Sequence, residues 1–183
     1  MPNTETVHKS WGWFLFLGII LIIAGTAAIM APTYASMGIT LLLGWILIFA
    51  GGFQLVHSFA SAGWGAFFWR LLGGLLYLAA GIFLLVYPLK GAITLTLILA
   101  ILLVVQGVFR IIGAFQFRHV SAWGWILVGG LLSLALGLMI YFQWPYSGLW
   151  VLGLFLGIDL IFEGWSFVMI AIASRKLGAL AVP

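Results

Sequence analysis

The sequence predicts an all-α membrane protein, with six transmembrane helices arranged as three repeated helix hairpins. Three observations predict it. Of 183 residues, 66% are hydrophobic, close to what six spans of about 20 residues each require. Charged residues make up 5%, where a water-soluble domain needs about 25% to cover its surface. The apolar residues come in continuous runs, not in the alternating segments of a membrane β-barrel. Soluble enzyme, nucleic-acid binder and disordered regulator are excluded as classes. The absence of cysteine excludes disulfides, thiolate nucleophiles, cysteine-ligated zinc and iron–sulfur clusters.

The runs fall at about 12–31, 35–59, 68–87, 91–115, 123–142 and 147–173. Pro32, Pro88 and Pro145 each stand between two runs, where one helix can end and the next begin. The links 32–34, 88–90 and 143–146 are short enough to predict tight antiparallel hairpins.

The hairpins repeat. Trp13, Trp69 and Trp125 are spaced by 56 and 56, as are Gly18, Gly74 and Gly130, and Gly25, Gly81 and Gly137. Pro32 and Pro88 keep the step. Pro145 falls one residue late, after an insertion within 141–144; with it counted, Gly51, Gly107 and Gly164 also align. The reading is a single transmembrane domain over 1–183, with repeats at about 11–66, 67–122 and 123–176. Residues 1–31 have features of a signal peptide, but they align with two internal helices, so they are read as a retained first span.

Six spans put both termini on one side. That side holds Lys9, Arg70, Arg118, Arg175 and Lys176, and the other only Lys90, so both termini are expected in the cytoplasm. This placement explains the net charge of +4 without a nucleic-acid partner. Trp11, Trp13, Trp64, Trp69, Trp123 and Trp125 are expected at the cytoplasmic interface, and Trp144 and Trp150 at the outer one. Glycines seven apart, and Gly153 with Gly157, are expected to let helices approach closely, because lipid offers no hydrophobic drive between them.

Polar residues at membrane depth concentrate on the even helices: Gln54 and His57 on the second, Gln106 and Arg110 on the fourth, Asp159 and Glu163 on the sixth. Each pair shares a face by its i,i+3 or i,i+4 spacing. In repeat register Gln54 aligns with Arg110, and Gln106 with Glu163. A charge at mid-bilayer costs about 2.5–3.5 kcal/mol on insertion scales. A structural ion pair of Arg110 with Glu163 or Asp159 is therefore expected, with Gln106 and Gln54 completing the hydrogen bonds. A proton relay through the cluster and snorkelling of Arg110 are the alternatives. His57 is read as an interfacial packing residue before a metal ligand, and His8, His57 and His119 have no ligand spacing. No H-E-x-x-H, G-x-S-x-G or phosphate-loop pattern occurs, so no catalytic residue, metal or cofactor is expected.

The repeated hairpin, with its Trp, two glycines seven apart and Pro, resembles the HdeD family of bacterial membrane proteins. The stretch Gln106-Gly-Val-Phe-Arg110-Ile-Ile-Gly-Ala114 is similar to the family's fourth span, and Gly157-Ile-Asp159-Leu-Ile-Phe-Glu163-Gly164 to a run in its last. The likeness covers about 11–176; the tail 177–183 has no counterpart and is expected to be disordered. The resemblance implies a six-span inner-membrane protein of the acid-resistance type, acting without catalysis through its packed membrane domain or a partner. The alternative is a small transporter or proton or ion channel using the polar cluster on helices 2, 4 and 6. Against transport stand unbroken helices and no polar path through the outer half of the even spans. Expected partners are the lipid bilayer and either further copies of the chain or other membrane proteins.

Overall fold

The structure, a computed structural model, describes residues 11–59, 63–119 and 123–180. His8 and Lys9 lie outside them. The described residues form α1 (Trp11–Met30), α2 (Pro32–Ser58), α3 (Trp64–Val86), α4 (Pro88–Gln116), α5 (Trp123–Phe142), a 3-10 helix (Tyr146–Leu149) and α6 (Val151–Leu180), with no strand among them. All six α-helices are long and apolar enough to cross a membrane. The protein is thus an all-α, six-span membrane protein.

Two of the three proline links are tighter than the apolar runs suggest. Pro32 and Pro88 begin α2 and α4 directly, leaving only Ala31 and Tyr87 between helices. Proline suits a first helical turn because the N–H it lacks would have no partner there. The third link is longer, and α6 starts at Val151 instead of at about 147. The inserted residue is absorbed by a turn and the 3-10 helix, held by Ser147 Oγ donating to Ile140 O at 2.8 Å and Gly148 N–H donating to Pro145 O at 3.0 Å. At the other end, the tail expected to be disordered is helical through Leu180, since no proline interrupts it and Ala179, Leu177, Lys176 and Arg175 are good helix formers around the single Gly178; residues 181–183 lie outside the description. Gly63, at φ 107°, supplies a backbone turn into α3 that a side chain disfavours.

The chain divides into two compact units, Met1–Ala35 with Gly153–Pro183, and Ser36–Leu152. In the first, α1 packs on α6. A Cβ added to Gly25 would stand 2.6 Å from Gly157 O, and one on Gly157 2.8 Å from Gly25 O. Gly18 and Gly164 meet in the same reciprocal way. The seam is closed at one end by the Phe14 and Phe167 rings, stacked at 6.2 Å, and by Arg175 over the Trp11 ring at 5.5 Å. At the proline end, Gly153 lies against the Pro32 carbonyl so closely that any side chain there would collide.

The second unit repeats this seam twice. α2 packs on α3 through Gly44 with Gly81 and Gly51 with Gly74; α4 packs on α5 through Ala100 with Gly137, Gly107 with Leu134, and Gly130 with Ile111. The proline link between α3 and α4 gives a looser pair than its length suggests. The two helices meet near their proline ends, where a Cβ on Gly91 would lie 2.7 Å from Leu84 and 2.9 Å from Thr40. The reason lies in the glycine column, which turns α4 toward α5. Van der Waals contact and weak Cα–H···O bonds reward that close approach in lipid, where apolar burial does not.

Candidate functional site

The even helices carry the candidate polar residues, and the repeat places them in equivalent positions with different neighbours. Gln54 and Arg110 occupy one column, which continues at Phe167 once the insertion is counted. Each lies beside the odd helix that its own helix packs on. Gln54 Nε2 donates to Arg70 O on α3 at 3.2 Å and sits 2.5 Å from where a Cβ on Gly73 would be. Arg110 Nη1 lies 3.6 Å from the same point on Gly129, one repeat further along on α5. Phe167 fills the position with a ring stacked on Phe14, the repeat equivalent of Arg70. One groove between two helices therefore accepts an amide, a guanidinium or a phenyl ring. A glycine on the facing helix makes room for the two polar groups.

Within Ser36–Leu152, Gln54 and Arg110 are carried to different helices, α3 and α5, and Gln54 spends its amide N–H on a backbone carbonyl. Gln106 and Arg110 are both exposed, one turn apart on α4. His57 is exposed at the end of α2. Its Nδ1 lies 3.3 Å from Phe53 O, donating in the Nδ1–H tautomer, and its ring packs 4.4 Å from the Phe53 ring. Among the described residues, no three His, Cys, Asp or Glu side chains come together.

Asp159 and Glu163 belong to the other unit. Both are exposed on α6, away from the helix's glycine seam. Gly157 and Gly164 face α1; Asp159 comes two residues after the first and Glu163 one before the second. At 3.6 residues per turn Glu163 points about 110° and Asp159 about 150° around the helix from α1.

The sequence reading missed the buried hydroxyls. Ser36, Thr40, Ser58 and Thr96 are fully buried in the larger unit, with Ser147 nearly so. Thr40 Oγ1 returns a hydrogen bond to Ser36 O at 2.7 Å and Ser58 Oγ to Leu55 O at 2.7 Å, each within its own helix, while Ser147 Oγ reaches Ile140 O on α5. Thr96, one repeat after Thr40, is the exception: its Oγ1 has no partner. The repeat could have exposed these positions. Ser58, Ala114 and Ala171 form one small-residue column, and Thr40, Thr96 and Gly153 another. The tryptophans near the third link also do more than line an interface. Trp150 packs against Ala100, Ile140 and Val151, and Trp144 Nε1–H donates to Ile93 O at 3.3 Å. A shallow apolar groove of about 200 Å³ runs between α4 and α5, lined by Ala100, Ile101, Val104, Val105, Leu138 and Tyr141. Its walls offer no polar chemistry.

The family model described as "Short repeat of unknown function (DUF308)" matches residues 16–86 and again 74–142. Protein HdeD of Escherichia coli (strain K12) is 26% identical over 174 residues, spanning 92% of this chain and 90% of that protein. Protein HdeD of Escherichia coli O157:H7 and of Shigella flexneri match to the same extent. No solved structure matches the chain.

Proposed function

The chain belongs to the family of the short repeat of unknown function (DUF308), and from that membership we propose that it is an integral protein of a bacterial inner membrane, of the acid-stress type, acting without catalysis. The observation that carries this reading is the likeness to HdeD along 92% of the chain, which includes all six apolar helices. The link to acid comes from the resemblance to the HdeD family. The charge distribution supports cytoplasmic termini, with the proline links facing outward. In this reading the working surfaces are the packed helices of each unit and the polar residues of α2, α4 and α6.

The test is survival. A strain of the host lacking this gene is shifted to strongly acidic medium, with and without the gene restored, and viable cells are counted. Lower survival without the gene and recovery on restoring it are expected; equal survival overturns the acid-stress reading.

A further inference from the structure

We propose that a second copy of this chain covers the face of α6 that carries Asp159 and Glu163, with Arg110 of each copy meeting the acids of the other. Two requirements lead to this. First, Asp159, Glu163, Gln106 and Arg110 are all exposed on helices that cross a membrane, where an ionisable group facing lipid is strongly disfavoured. Within the smaller unit both acids point away from the only helix that α6 packs on, α1. Within the larger unit Arg110 lies along the α4–α5 groove beside Gly129 and keeps an exposed head. Something other than hydrocarbon must face these groups.

Second, the charges are complementary and at matching depth. The chain has only three acidic residues, Glu5, Asp159 and Glu163, and the last two are the ones on a span. Among the basic residues, Arg110 stands six residues from the end of α4 and Arg70 six residues into α3, while Lys90, Arg118 and Arg175 lie nearer helix ends or past them. α3 runs opposite to α6, so Arg70 leans toward the cytoplasmic end and Arg110 toward the acids. Spans separated by one other span cross the bilayer in the same sense, so α4 of one copy and α6 of another run parallel. In repeat register Glu163 stands four residues from Arg110's level, about 6 Å along the axis. An arginine side chain that leans toward its helix N-terminus spans that offset. A twofold axis along the membrane normal then makes the contact twice, each copy giving an arginine and receiving one. The inference needs the helices to span a bilayer; it does not need the acid-stress reading, and survival and assembly are separate measurements.

The experiment uses two full-length copies with different affinity tags, co-expressed, reconstituted into lipid nanodiscs and captured through one tag. Wild-type copies are expected to co-purify. Arg110→Glu in both copies, or Glu163→Arg in both, should lower co-capture about tenfold or more, because like charges then face each other. Arg110→Glu in one copy with Glu163→Arg in the other should restore it, since each contact again joins opposite charges. Wild-type copies that do not co-purify from bilayers overturn the proposal. So does a failure of the mixed pair to recover while the two substitutions placed in one chain behave as wild type, which would put the ion pair within a single copy. Because the chain has no cysteine, Gln106→Cys in one copy and Ser166→Cys in the other give a second readout that leaves the charges untouched. A short bismaleimide, which spans the offset of about 4.5 Å between these two levels, should join the two tags covalently, and no mixed cross-link overturns the contact.

Discussion

Gly18 and Gly164 meet backbone to backbone: a Cβ on Gly18 would stand 2.8 Å from Gly164 O, and one on Gly164 would stand 2.7 Å from Gly18 O. Such reciprocity leaves neither helix free to yield for the other. Gly164→Leu is expected to destabilise the detergent-solubilised protein by an amount on the order of 1–3 kcal/mol, the usual cost of overpacking. Gly38→Leu is the control, since a Cβ there meets nothing within 4 Å. Thermal unfolding of the two variants should separate them clearly. Equal midpoints would mean that the α1–α6 seam is not held by close approach.

The glycine columns were legible in the sequence; the choice of partner was not. A seven-residue glycine spacing marks the face on which a helix packs. In an alternating bundle, though, the preceding and following helices are both antiparallel and both carry such a column. Gly107 therefore says that α4 packs closely on something, but only the structure shows that Leu134 of α5, and not α3, is opposite it. The insertion before Pro145 was visible as a break in the repeat, whereas its form, a 3-10 helix over Tyr146–Leu149, depends on the bond from Ser147 to Ile140 O. For the polar residues, periodicity placed Gln54 and Arg110 in one column. It could not show that each would lie along its own neighbouring helix, because that depends on the facing glycines at 73 and 129.

Gln54 and Gly73 offer a double-mutant cycle. A methyl at Gly73 would take the space of Gln54 Nε2, 2.5 Å away, and displace it from Arg70 O. Polar bonds between membrane helices average about 0.6 kcal/mol and reach about 1.7. Gly73→Ala is expected to cost about that much in the wild type and close to nothing once Gln54 is Ala. Unchanged cost in the Gln54→Ala background would show that the methyl clashes with something other than this amide.

Thr40 and Thr96 occupy the same repeat position, are both fully buried, and differ in one bond. Thr40→Val removes a hydrogen bond and should cost about 0.5–1.5 kcal/mol. Thr96→Val removes a hydroxyl without a partner, so it should be neutral or stabilising. Unfolding midpoints of the two variants decide the matter, and a larger loss at Thr96 would reveal that its hydroxyl is bonded in the membrane.

Topology is tested by thiol labelling on a cysteine-free background. Lys90 and Arg118 follow the two ends of the same span, with Lys90 in the first turn of α4 and Arg118 just past its end. With the termini in the cytoplasm, a cysteine at Lys90 should react in intact cells with a membrane-impermeant maleimide, and one at Arg118 should react only after permeabilisation. The reverse pattern would invert the proposed orientation.

The last expectation separates the proposed role from transport. Asp159 and Glu163 are the two acids on a span, eight and twelve residues into α6, and Asp159 is the one nearer the outer end, where a proton pathway through the even helices would have to begin. The groove between α4 and α5 has purely apolar walls, and Asp159 lies on an exposed face of α6, not on the seam with α1. Neither arrangement supplies the chain of polar groups that a relay needs within one unit. Asp159→Asn keeps the shape and removes the ionisable group. Reconstituted into vesicles with a pH-sensitive dye inside, wild type and Asp159→Asn should both show no proton flux above protein-free vesicles under an imposed pH gradient. A flux carried by the wild type and lost in Asp159→Asn, with the unfolding midpoint unchanged, would assign that carboxyl to conduction and make the protein a small transporter or channel.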